Sequence, residues 1–183
     1  MKKNALFLFM ALTISGCIGS GEISTVQSNG ENHFPTLIGI DLVGEDREIP
    51  QSFTGEYNIV AVAFEREHQE AVNTWISAVD SILENHKNIA FYEVPLIYEI
   101  NAPYRFWINN GMRAGIPDLE ARLRTITVYT DRDKFTSTMN MKTDRIYVLL
   151  LNKKGEILWQ TQGPLTPKSE SALLNKIMEI NKL

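Results

Sequence analysis

The chain has 183 residues, of which 44 % are apolar and 22 % charged, with a formal net charge of −4. That profile excludes a disordered, collagenous or polytopic membrane chain and fits one globular domain with its own core. The acidic balance argues against nonspecific nucleic-acid binding, so no nucleic acid is expected among the partners.

Residues 1–16 read as an export signal. Lys2 and Lys3 precede an apolar run over 5–14, too short for a bilayer core that takes roughly 20 helical residues to cross. Ile14-Ser15-Gly16-Cys17 resembles the lipobox of prokaryotic lipoproteins, which implies cleavage before Cys17 and lipid attachment to its sulfur. Removing Lys2 and Lys3 with the signal moves the net charge from −4 to −6. An acidic body gains little from anionic headgroups, so the membrane contact is assigned to the acyl chains, and two are about what stable anchoring takes. The expected location is extracytoplasmic, at the cell membrane, and Ile18 permits outer-membrane sorting in a diderm host. Residues 17–33 are expected to be the lipidated cysteine and a flexible tether rich in Gly, Ser, Thr, Asn and Glu. Cys17 is the only cysteine, so no disulfide can form within the chain. A domain over 34–183 is large enough to fold without one.

Strand and helix signals alternate from Phe34 onward. Residues 37–42 and 47–50 flank a hairpin turn at 43–46. The run NIVAVAF over 58–64 has the apolar, β-branched character of a buried central strand. Val72, Trp75, Ile76, Val79, Ile82 and Leu83 then recur at spacings of three and four, which predicts a helix over 69–85. A further strand over 89–97 contains Pro95, which favours an edge or a bulge. Residues 101–123 break the rhythm with at least one helix carrying Tyr104, Phe106, Trp107 and Met112. TITVY over 125–129 is a strand. Asp131 can cap a short helix through Phe135 and Met139. A second central strand over 146–151 turns through 152–155 into a strand over 157–162. Thr166-Pro167 starts the last helix, whose inner face is assigned to Leu173, Leu174 and Ile177. No internal repeat or second domain is visible.

Periodicity alone gives an α/β layered fold. The segment IYVLLLNKKGEILWQTQGP and the helix after it resemble the C-terminal hairpin and helix of the thioredoxin-like superfamily. FPTLIGIDLVG and IPQSF are similar to the opening of its peroxiredoxin-like members. The resemblance implies a thioredoxin-like three-layer sandwich, a central mixed β-sheet flanked by helices, with a helical insertion at about 101–123. Redox members of that superfamily place a thiol pair between the first central strand and the next helix, where the helix N-terminus favours the thiolate. Here the junction reads Glu65, Arg66, Glu67, His68, a vestigial active-site loop without cysteine. The proline expected before the penultimate strand is also missing around Arg145-Ile146-Tyr147. Thiol–disulfide exchange and cysteine peroxidase chemistry therefore lack their atoms.

No catalytic residue, metal site or cofactor is expected. His33, His68 and His86 are scattered and no zinc spacing occurs. Asp131-Arg132-Asp133 begins like a calcium loop, but Lys134 and Phe135 follow where oxygen ligands are needed, so a helix cap is preferred. Glu67 and His68 could form an acid–base pair; the plainer reading is a solvated first turn with its carboxylates at the positive end of the helix.

Four stretches together resemble the mitochondrial ATP synthase assembly-factor family of the membrane sector, itself thioredoxin-like. They are AVAFEREHQEAVNTW, VPLIYEIN, RTITVYTD and DRIYVLLLNKKGEILWQTQG. The resemblance implies a non-catalytic membrane-associated helper with a protein partner; the export signal departs from that family, so its client does not carry over. Arg105, Trp107, Asn109 and Arg113 are the candidate partner-binding residues, because interface cores favour aromatics and Arg. Arg105, Asn109 and Arg113 share one helix face at spacings of four, with Phe106 and Trp107 turned toward the sheet or a partner. The leading expectation is a membrane-anchored binding or assembly module. The alternatives are a small-ligand site in the vestigial cleft and a cysteine-independent hydrolase using Glu67 and His68.

Overall fold

The structure, a computed structural model, describes residues 21–182. The export signal, lipobox and Cys17 lie outside the described residues. Strands β1 (Ile23–Ser24), β2 (Leu37–Asp41), β3 (Asp46–Ile49), β4 (Tyr57–Ala63), β5 (Ile89–Tyr98), β6 (Ile126–Thr130), β7 (Tyr147–Asn152) and β8 (Ile157–Gln162) form one sheet. Helices α1 (Gln69–Asn85), α2 (Ala102–Gly115), α3 (Leu119–Arg124), α4 (Arg132–Met139) and α5 (Pro167–Ile180) connect and cover it. The strand order is β3-β2-β6-β5-β4-β7-β8, with β1 also on β6. β4, β5 and β6 run parallel, and β7 lies antiparallel to β4.

The uninterrupted apolar run of β4 suits its position between β5 and β7, where both faces are covered. Ile59 and Ala61 face α1 and α5, packing with Val148 and Leu150 of β7. Val60 and Val62 face the opposite layer, with Val94, Leu149, Phe34, Phe53 and Phe135 of α4. α1 occupies the expected 69–85 and buries Val72, Trp75, Val79 and Ile82. Each such side chain contributes roughly 1.5–3 kcal/mol on burial. Trp75 Nε1 donates to the Gly163 carbonyl at 3.1 Å, fixing α1 to the segment after β8.

Several expectations need correction. The tether does not extend through the described part of 17–33. β2 pairs with β6 only at Thr127 and Ile126, and β1 pairs with the remainder, Ile23↔Tyr129 and Ser24↔Thr130. Thr130 Oγ1 donates to the Ser24 carbonyl at 2.6 Å, the Ile38 amide donates to Ser24 Oγ at 2.6 Å, and Val26 is buried. Backbone pairing on an open strand edge orders a segment whose apolar content would not do so. Pro95 lies in an interior strand: Ala63↔Pro95 is the last pair of the β4 ladder, and the β6 ladder resumes at Leu96. On α5 the inner positions are Leu173, Ile177 and Ile180, at spacings of four and three, and Leu174 is exposed. Residues 101–123 fold as α2 and most of α3, and they supply the crossover that two parallel strands, β5 and β6, require.

Two glycines make opposite predictions. A Cβ on Gly39 would sit 2.5 Å from Ile126 Cγ2 and 3.0 Å from the Thr127 carbonyl oxygen, so β2 approaches β6 only because the side chain is absent. Gly39→Ala should cost about 1–3 kcal/mol in urea unfolding through overpacking. A Cβ on Gly111, within α2, meets nothing within 4 Å. Gly111→Ala should therefore stabilise the fold by about 0.5–1 kcal/mol, the ordinary helix-interior difference.

Candidate functional site

The carboxyl ends of β4, β5 and β6 share one edge of the sheet, the place where open α/β sheets usually bind ligands. β4 leads through Phe64 and Glu65 into a 3₁₀ turn, Arg66–His68, and then α1. Glu65 makes no side-chain cap bond to that turn. Its carboxylate accepts instead from Arg132 Nη2 at 2.8 Å, while Arg132 Nη1 donates to the Phe64 carbonyl at 3.0 Å. The guanidinium stands 4.0 Å over the Tyr98 ring and 5.7 Å from the Phe64 ring centre. Arg132 is thus buried across the mouth, joining the ends of all three parallel strands. His68 Nδ1 accepts from the Phe64 amide at 3.2 Å; Arg66 and Glu67 are exposed in the turn.

This arrangement has consequences for chemistry. The position that carries the thiol in redox members of the fold has no nucleophile, and its carboxylate is bound to the protein's own arginine. The ring nitrogen of His68 that a base would use is spent on the backbone. The cleft considered for a small ligand is crossed by Arg132 and Tyr98. Grooves of about 320 Å³ between β8 and α5 and about 180 Å³ beside β2 lie away from this edge. Asp131 caps α4, accepting from the Lys134 amide at 2.9 Å, as the sequence suggests. Among the described residues, no three His, Cys, Asp or Glu side chains converge as a metal site.

The second candidate surface is α2. Asn101 caps it, its side chain accepting from the Tyr104 amide at 3.2 Å, and Pro103 lies in the first turn. Arg105, Asn109 and Arg113 do share one face, but that face meets the protein. Asn109 Oδ1 accepts from the buried Tyr129 hydroxyl at 2.7 Å, and the Arg105 guanidinium lies 5.8 Å from the Tyr129 ring centre. Arg105 Nη1 donates to the Ile100 carbonyl at 2.6 Å, and Arg113 Nε donates to the Leu42 carbonyl at 2.7 Å. Burial pushes the Tyr129 phenol well up, opposed in part by Arg105, so it stays a hydrogen-bond donor. Three of the four expected partner contacts therefore hold α2 on the sheet. The aromatic side chains point away: Trp107 is 74 % exposed, Tyr104 63 % and Phe106 45 %.

The reason lies in β6. Thr127 and Tyr129 alternate along β6 and put hydroxyls on the face that α2 covers; Thr127 Oγ1 meets Met112 Sδ at 3.5 Å, while Thr125 just before the strand donates to the Ala121 carbonyl of α3. A polar strand face selects a polar helix face, and the aromatics are left outside. That alternation was the available signal. Arg132 had a weaker one, a cation between Asp131 and Asp133 at a strand end. Glu93, interrupting the apolar run of β5, is a third polar residue missed from the pattern. It is buried near Gln69 and Arg124.

The sheet order, the helical layers and the position of the α1 mouth define a thioredoxin-like fold. Solved structures agree with this. The chain is similar to a putative electron transfer protein from Aquifex aeolicus VF5 (10 % identity, TM-score 0.52, covering 79 % of this chain and 94 % of that one). It is also similar to a putative thiol:disulfide interchange protein from Chlorobium tepidum (13 %, TM-score 0.50, covering 86 % and 98 %). An uncharacterized conserved protein from Geobacillus kaustophilus shares 9 % identity at a TM-score of 0.53, with 87 % and 85 % covered. No curated protein sequence matches the chain. The family model described as ATP10 protein matches residues 16–180, so this chain belongs to the ATP10 family of assembly factors.

Two predictions test the polar interior. Arg132→Met retains the stem but orphans the Phe64 carbonyl, and should cost about 1–3 kcal/mol in urea unfolding. Glu65→Gln should cost less than about 1 kcal/mol, because its carboxylate is half exposed and the pair is screened. Burial raises the Glu93 carboxyl above its usual value, while Gln69 and Arg124 oppose the shift. Between the usual and the raised value, the folded chain holds a proton that the unfolded chain has released, so this group's contribution to stability falls as pH rises. Glu93→Gln should remove that slope from unfolding curves collected over this interval, and should raise stability at neutral pH.

Proposed function

We propose that this protein is a lipid-anchored, extracytoplasmic assembly or binding module that performs no chemistry and works on a protein partner at the membrane. The observation carrying the reading is the mouth at the end of β4, where Arg132 and Glu65 bind each other in place of a reactive group. Membership of an assembly-factor family supports a protein partner. The lipobox-like Ile14-Ser15-Gly16-Cys17 supports the anchor and the location. No described helix is long and apolar enough to cross a membrane. Of the residues expected to meet a partner, Trp107 is the one turned outward.

In-cell crosslinking, detergent extraction and mass spectrometry test this. The expected result is an acylated Cys17 and one membrane protein recovered reproducibly with the full chain. Cys17→Ser should move the protein out of the membrane fraction and abolish that recovery. An acylated protein with no reproducible partner would overturn the assembly role.

A further inference from the structure

α2 is amphipathic in the unusual sense. Its polar side is buried on Thr127 and Tyr129, while Tyr104, Phe106 and Trp107 stand in solvent. Exposing three aromatics on one helix is costly in water and favourable at a headgroup boundary, where amphipathic rings concentrate. The surrounding charge fits the same medium. Residues 100–117 contain no Asp or Glu in a chain with 22 of them; their only charges are Arg105 and Arg113. This stretch offers no carboxylate of its own for an anionic leaflet to repel.

The chain's path supplies the second argument. Gly21 is packed against Ile40 and Tyr129: a Cβ there would lie 2.9 Å from Ile40 Cγ2 and 3.6 Å from Tyr129 Cδ2. Tyr129 is the residue on which Asn109 and Arg105 seat α2. Cys17 is four residues before Gly21 and cannot lie more than roughly 14 Å from it even if the chain is fully extended. Acyl chains on Cys17 would therefore start within that reach of Gly21, which meets the same Tyr129 ring on which α2 is seated.

We propose that the outer face of α2, formed by Tyr104 and Trp107 with Phe106 on its flank, rests on the phospholipid headgroup–acyl boundary beside the lipidated Cys17. The occupant of this face is lipid. The inference rests on the reading of Cys17 as the anchor. It makes the attachment two-point: acyl chains set the distance and α2 sets the orientation. The domain then lies with a defined side down and does not swing on a leash.

The test uses the full acylated chain in phosphatidylcholine–phosphatidylglycerol vesicles whose acyl chains carry bromine, which quenches tryptophan at contact. Trp75 is fully buried and Trp159 partly buried against the α1–α5 layer, so the emission lost in Trp107→Gln isolates the contribution of Trp107, and Trp159 supplies the residual signal. The expected result is quenching in the parent protein that falls at least twofold in Trp107→Gln. The exposed position of Trp107 should leave folding, monitored by circular dichroism, unchanged. Mass spectrometry of Cys17 in the same samples separates the two readings. An acylated Cys17 with equal quenching in parent and variant overturns the proposal alone. A Cys17 without acyl chains in the membrane-derived protein overturns the anchor reading and this proposal with it. A photocrosslinker at position 107 should capture lipid in cells; capture of a protein helix would overturn the lipid assignment.

Discussion

The structure depends on β4 being buried on both faces. A strand that apolar must be flanked by strands and covered by helices on each side, or it exposes a surface that no soluble domain tolerates. β5 and β7 meet the first demand and the two core layers meet the second. Because β5 and β6 continue parallel to β4, three strand ends open on a single edge. That edge is where the fold can host chemistry, and its occupants decide what kind of protein results. Here they are an arginine and a carboxylate bound to each other, with an aromatic ring beneath the guanidinium.

Buried arginine at such a position has a structural logic. Three strands end with backbone groups and ring edges converging, and a planar cation with several donors can join a carbonyl, a carboxylate and a ring at once. Arg132 does this for Phe64, Glu65 and Tyr98. The bond to Glu65 adds little alone, since the carboxylate is half in solvent. The value of the arrangement lies in satisfying the Phe64 carbonyl and keeping the strand ends together. No cysteine lies among the described residues, and the mouth is part of the scaffold.

What the sequence revealed followed from periodicity. The bounds of α1, the doubly buried β4 and the β7–β8 hairpin with α5 were all legible, because apolar spacing determines each. The failures came where polar contacts decide the outcome. Residues 21–33 look like a tether by composition, yet a short ladder to the free half of β6 holds them. The outward turn of Arg105, Asn109 and Arg113 is a natural reading of a polar helix face, and it fails because β6 offers Thr127 and Tyr129 instead of an apolar surface. Pro95 suggested an edge or a bulge, and it sits where the β4 ladder ends, a place at which a proline is tolerated in an interior strand. Hydrophobic patterns say which side of an element is dry. They do not say whether the neighbouring element wants a dry side.

That last point explains the outward aromatic face of α2. An ordinary helix in this place would put its aromatics on the sheet and its arginines in water, leaving a surface no different from the rest of an acidic body. The hydroxyls of β6 reverse that choice. Burial of Arg105 and Asn109 is made tolerable by the Tyr129 hydroxyl, the Ile100 carbonyl and the adjacent ring, and Trp107 is presented as a result. The same Tyr129 carries β1 along its backbone and Gly21 against its ring. One residue of one short strand thus couples the route by which the chain enters the domain to the exposure of its aromatic face. The lipobox-like residues 14–17 and the aromatic residues 104–107 are separate features in the sequence. In three dimensions Gly21 and α2 both meet Tyr129, so under the proposed anchoring one residue relates the chain's entry to the outward tryptophan.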